Sequence, residues 1–224
     1  MLKCLCIFFI FPTLHADDSW AKQELEANYV HHCQTYSDIH EHLPVLRKLA
    51  KECSSVVEIG MRYMVSTWGI MQGLSENPAQ NRSYLGIDIA RPPDDIFTLH
   101  QRLAKANGIS FRFLNVNDLY FYIPKTELLF IDSLHTYCHL TYELETFSPR
   151  VAKYIALHDT SDKWSYLDDE NYLGDYSEYP EHYDRMKRGL WPAVEDFLVR
   201  HPEWRLLERH YNNFGFTILE RIRR

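Results

Sequence analysis

The stretch from Leu128 to Thr160 constrains this chain most. Its apolar run Leu128–Ile131 reads as a buried strand that stops at Asp132. A second run, Tyr154–Leu157, stops at His158 and Asp159. Between them Leu140, Leu144 and Phe147 recur at helical spacing, with Glu143 and Glu145 turned to the other face. A strand–helix–strand unit implies parallel strands, and parallel neighbours end on the same edge. Asp132, His135, His158 and Asp159 are therefore expected on one rim, where ligands of open α/β sheets bind. Two carboxylates and two imidazoles on one rim point to a metal or an acid/base site.

The same alternation runs back through the chain. Ser55–Gly60 reads as a strand and turn, Val65–Leu74 as the helix after it, and Tyr84–Asp88 as a second strand ending in an acid. Leu99–Asn107 reads as a helix stopped by Gly108. Ser110–Val116 is a third strand, followed by Asn117 and Asp118. Beyond Trp191–Val199, a helix, Trp204–Glu208 and Phe216–Glu220 flank the turn-forming Asn212, Asn213 and Gly215. The fold expected is α/β: a doubly wound, mostly parallel Rossmann-like sheet closed by a C-terminal antiparallel hairpin. Ser19–Asn28 and Leu43–Ala50, with Pro44 in the first turn, read as helices ahead of the first strand.

A length of 224 residues suits one well-cored domain, taken as 17–224. A net charge of −7 argues against nonspecific nucleic-acid binding. Residues 1–16 read as a secretory signal peptide: Lys3, the apolar run Leu5–Phe11, then Leu14-His15-Ala16 before Asp17. Cleavage there would make the protein secreted or exported, with no integral membrane segment left; retention would leave it cytoplasmic. Cys33, Cys53 and Cys138 fit no disulfide or CxxC pattern and are read as free. His31, His32, His40 and His42 match no metal-ligand spacing and read as a solvated connector, and His139 reads as helix surface. The segment 161–189 is acidic and aromatic and reads as a lid over the rim.

In a nucleotide-type site, Gly60 would admit a ligand close to the backbone and Asp88 would hold ribose hydroxyls. Glu58, Gly60, Asp88, Asn117 and Asp118, in that order and spacing, resemble the class I S-adenosylmethionine-dependent methyltransferases over about Val45 to Arg224. Within that fold, Asp132 and His135 followed by His158-Asp159 resemble the cephalosporin-hydroxylase-like and metal-dependent sugar O-methyltransferase group. The resemblance implies S-adenosylmethionine near Glu58, Gly60, Ser66, Asp88, Asn117 and Asp118. It implies a divalent cation, Mg or Mn before Fe or Zn, on Asp132, His158 and Asp159. It also implies His135 as general base toward a hydroxylated small-molecule acceptor.

The chain departs from that group in two places. Met61-Arg62-Tyr63-Met64 replaces a Gly-rich loop and is expected to crowd the methionine end of the cofactor. His158 stands where an acid is usual, which shifts the donor set toward Mn²⁺, Fe²⁺ or Zn²⁺. The function expected is metal-assisted O-methyl transfer. The alternatives are a methyltransferase-fold binding protein without catalysis, and a metal-dependent oxygenase or hydrolase.

Overall fold

The computed structural model describes residues 18–169 and 176–222. The expected signal segment, with Cys4 and Cys6, lies outside the described residues. Before the sheet come α1 (Asp18–Gln34) and α2 (Leu43–Lys51). The core alternates β1 (Ser55–Ile59), α3 (Val65–Glu76), β2 (Arg82–Asp88), α4 (Asp94–Ala106), β3 (Ile109–Asn115), β4 (Thr126–Ile131), α5 (Tyr137–Phe147) and β5 (Val151–His158). It ends with α6 (Lys163–Tyr166), α7 (Leu190–Arg200), β6 (Trp204–His210) and β7 (Phe216–Arg221).

One seven-stranded sheet runs in the order β3-β2-β1-β4-β5-β7-β6. The first five strands are parallel, and β7 joins β5 and β6 antiparallel. This is the doubly wound sheet with a closing hairpin that the sequence predicts. Strand alternation feeds two cores. Val56, Tyr84, Leu128, Phe130 and Ile218 pack with α1 to α4 on one face. Val57, Ile59, Leu129, Ile131, Leu157 and Leu219 pack with α5 and α7 on the other. The chain changes face between β1 and β4, where Ile59 lies beside Ile131. That switch point opens a crevice beyond the strand ends. Among the described residues, no helix is long and apolar enough to cross a membrane.

Local corrections have readable causes. The first helix extends well beyond Asn28 because Ala21, Leu25 and Tyr29 form a buried stripe that anchors it. The fourth helix starts at Asp94, not Leu99. Pro93 sits at its N-cap, and Asp94 and Asp95 place negative charge in its first turn. Glu143, set apart from the Leu140, Leu144 and Phe147 stripe, is nonetheless fully buried. His139 is likewise buried at 4% exposure, not helix surface. His42 is no solvated connector; its Nε2 meets the Asn212 carbonyl oxygen at 3.0 Å and its ring packs on Phe216. Cys33, Cys53 and Cys138 are free, as expected.

Candidate functional site

The ends of β1, β2, β3 and β4 frame a cavity of about 340 Å³ lined by Gly60, Asp88, Asn117, Asp118 and Asp132, among others. Gly60 turns the chain out of β1 with φ +85°. A Cβ there would lie 2.0 Å from the Asp132 carbonyl oxygen, so only glycine lets β1 and β4 end side by side. Three of the four loop residues expected to crowd the cofactor stay out of the cavity. Met61 and Met64 are buried in the core, with Met61 packed where β2 carries Gly86, and Tyr63 points outward. Arg62 lines the cavity and pairs with Asp38 at 2.9 Å.

Asp88 holds that loop. Its Oδ2 accepts the Met61 and Arg62 amides at 2.7 and 3.0 Å, and its Oδ1 accepts the Ala90 amide at 2.8 Å. The Asn117 side chain accepts the Leu119 amide at 2.9 Å and so fixes the turn carrying Asp118. Glu58 and Ser66 lie elsewhere. Glu58 is fully buried, accepts the hydroxyls of Ser66, Tyr84 and Thr67, and does not line the cavity. Burial pushes its carboxyl up to about 7, against the three hydroxyl donors and with help from Asp132.

Beside the cavity, the ends of β4 and β5 bring together Asp132, His135, His158 and Asp159. His158 Nδ1 lies 3.3 Å from Asp132 Oδ1 and 3.2 Å from Asp159 Oδ2. His135 Nε2 lies 2.9 Å from Asp159 Oδ2 and 3.8 Å from Asp132 Oδ1. Asp159 sits at φ +56°, a left-handed bend that returns its carboxylate to both rings. Burial opposes charge on His135, but Asp132 and Asp159 outweigh it and raise the ring to about 9. Burial likewise opposes charge on His158, and the same carboxylates raise it well above the ordinary value. Burial also works against ionised Asp132 and Asp159, yet the two rings hold both below the usual carboxylate range.

These residues fit a divalent cation. One ligand atom each from Asp132, His158 and Asp159 can be chosen so that all lie within 4.8 Å of one another. His158 Nε2 lies 3.2 Å from the Asn213 carbonyl oxygen, which can only accept, so the proton belongs on Nε2. That leaves Nδ1, the atom facing both carboxylates, free to donate a lone pair when the ring is neutral.

A second cluster escaped the sequence reading. Asp118, His139 and Glu143 converge where the cavity wall meets α5. His139 Nε2 lies 3.2 Å from Asp118 Oδ2 and 3.8 Å from Glu143 Oε1. Tyr179, from the predicted lid, reaches His139 Nδ1 at 2.9 Å, and Tyr179 and Glu178 line the cavity. Burial opposes charge on His139, but Glu143 and Asp118 raise its pKa. Burial pushes Glu143 up to about 8, against the pull of His139. The i, i+4 spacing of His139 and Glu143 on one helix was the sequence signal for this pair.

No family model matches the chain, and no curated protein is similar to it. Solved structures are similar to it in fold. A Corynebacterium glutamicum protein is 16% identical, with 92% of this chain and 91% of that one covered and a TM-score of 0.53. An O-methyltransferase from Bacillus cereus in complex with S-adenosylhomocysteine is 11% identical, covers 93% of each chain and has a TM-score of 0.52. An S-adenosylhomocysteine-bound methyltransferase from Podospora anserina is 13% identical over 96% of this chain and 99% of its own, at a TM-score of 0.51. Together with the strand order and the closing hairpin, these likenesses give the chain a Rossmann-like methyltransferase fold.

Proposed function

We propose that this chain is an S-adenosylmethionine-dependent O-methyltransferase that acts on a hydroxylated small molecule with the help of a divalent cation. One observation carries the reading. A cavity lined by Gly60, Asp88, Asn117 and Asp118 runs at Asp132 into a cluster of two carboxylates and two imidazoles. Two of the similar folds hold S-adenosylhomocysteine, the product such a cofactor leaves.

S-adenosylmethionine supplies a sulfonium-bound methyl group. Asp132, His158 and Asp159 would hold a divalent cation, which would supply Lewis acidity toward an acceptor hydroxyl. Imidazole in that donor set favours Mn²⁺ over Mg²⁺. His135 Nε2 takes the hydroxyl proton. In the protein as it stands, Asp132 and Asp159 hold a proton on that ring. With a cation held by Asp132 and Asp159, those carboxylates would hold the His135 proton less tightly, and the ring could accept a proton nearer neutral pH. Gly60 and Asp88 act on alignment: one lets β1 and β4 close up, the other fixes the loop beside the cavity.

The test is transfer of isotopically labelled methyl from S-adenosylmethionine to a panel of catechols and glycosides, by the full chain with Mn²⁺ or Mg²⁺. His135→Gln should abolish transfer and leave cofactor affinity within about twofold. Full transfer by Asp132→Asn would remove the cation from the account. A second reading, a binding protein without catalysis, has one observation behind it: the loop's own amides already occupy Asp88. Cofactor binding with no transfer to any acceptor would favour it.

A further inference from the structure

We infer that Asp118, His139 and Glu143 form a second site for a divalent transition cation of the zinc class, separate from the cluster at Asp132. All three side chains are at least nine-tenths buried, at 8%, 6% and 0% exposure. Asp118 Oδ2 and His139 Nε2 face only each other, at 3.2 Å and without a well-aligned hydrogen bond, and buried Glu143 Oε2 has no hydrogen-bond partner among the described residues. A buried polar atom without a partner is destabilising, more so when charged. An unpartnered carboxylate oxygen beside a poorly aligned buried pair is unexpected in a native interior unless something joins them.

The arrangement supplies what a bound ion needs. Donor atoms from the three residues lie within 4.8 Å of one another. The His139 Nε2 contacts, 3.2 Å to Asp118 Oδ2 and 3.8 Å to Glu143 Oε1, bracket the spacing of about 3.4 Å between ligands of tetrahedral zinc, whose bonds are each about 2.0–2.2 Å. Outer contacts hold the ligands in place. Ser133 donates to Glu143 Oε1 at 2.7 Å, and Tyr179 Oη meets His139 Nδ1 at 2.9 Å. A proton on Nδ1, donated to Tyr179, leaves the Nε2 lone pair for the ion. One imidazole with two carboxylates selects zinc-class ions over calcium or magnesium.

The position gives the ion a task. Asp118 follows β3, His139 and Glu143 belong to α5, and Tyr179 comes from the segment after β5. An ion there ties three separate parts of the cavity wall together. The rival arrangement is an imidazolium held between two carboxylates, which needs no metal.

Zinc content decides between them, measured on the full chain after chelator treatment and dialysis against Zn²⁺. The doubly substituted Asp132→Asn/Asp159→Asn protein should keep one zinc per chain. Adding Glu143→Gln or His139→Gln should weaken that binding at least about tenfold, and Tyr179→Phe by about tenfold. Zinc should raise the Tm of the double variant and no longer do so once Glu143→Gln is added. Glu143→Gln keeps the acceptor for Ser133, so this arm survives even if His139→Gln fails to fold. The inference is overturned if the Asp132→Asn/Asp159→Asn protein holds no zinc, or if Glu143→Gln leaves its zinc affinity unchanged.

Discussion

Gly60→Ala tests how tightly the site is built into the sheet. The substitution adds one methyl group at φ +85°, 2.0 Å from the Asp132 carbonyl oxygen and 2.5 Å from its carbon. Both neighbours are backbone, so no side chain can swing away. Two costs combine. An L side chain in the left-handed region costs about 1–2 kcal/mol. Forcing an extra group into a packed interior costs about 1–3 kcal/mol more. Gly108→Ala separates the two, because Gly108 also has positive φ, at +67°, but its added methyl would meet only the end of the Arg82 side chain at 3.0 Å. The expected loss is therefore about 2–5 kcal/mol for Gly60→Ala and about 1–2 kcal/mol for Gly108→Ala. At about 2–4 °C per kcal/mol for a chain of this size, the first should lower Tm by roughly 4–20 °C. Urea unfolding gives the free energies directly. Equal losses for the two variants would refute the close-approach argument. Because the clash falls on Asp132, cation binding at the rim should also fail in Gly60→Ala at temperatures where the variant is still folded.

Acid should destabilise the fold through His100. Burial holds its ring at about 4, below the ordinary 6.5. The unfolded chain takes up this proton as pH falls through 6.5, while folded His100 stays neutral until about 4. Its contribution is complete above pH 6.5 and lost toward pH 4, roughly 3 kcal/mol in all. His100→Leu should flatten the pH dependence of urea stability in that window, and an unchanged slope would contradict the assignment. Asp88→Ala should cost about 1–2 kcal/mol, because the Met61 and Arg62 amides lose their acceptor, and should weaken S-adenosylhomocysteine at least tenfold by calorimetry. Chelator treatment should abolish methyl transfer, with Mn²⁺ restoring it better than Mg²⁺.

The parallel sheet was legible because β1, β2 and β4 each end in apolar residues stopped by a glycine or an acid. Ile59 before Gly60, Ile87 before Asp88 and Ile131 before Asp132 mark three strand ends from composition alone. Convergence of Asp132, His135, His158 and Asp159 followed from parallel geometry, without any distant contact. What escaped depends on partners far away in sequence. His139 is buried because Tyr179 closes over it, and His42 because the Asn212 turn reaches it. Met61 and Met64 look obstructive in a cofactor loop only until the left-handed residue at Met64 and the space beside Gly86 turn them into the core. Glu58 was placed near the cofactor by the resemblance alone. Alternation instead points it inward, to Ser66, Thr67 and Tyr84.

Calorimetric titration of the full chain with S-adenosylhomocysteine tests the central claim most directly. The account predicts saturable one-to-one binding at micromolar affinity, weakened at least tenfold in Asp88→Ala. The absence of saturable binding at millimolar ligand, with and without Mn²⁺, would contradict it.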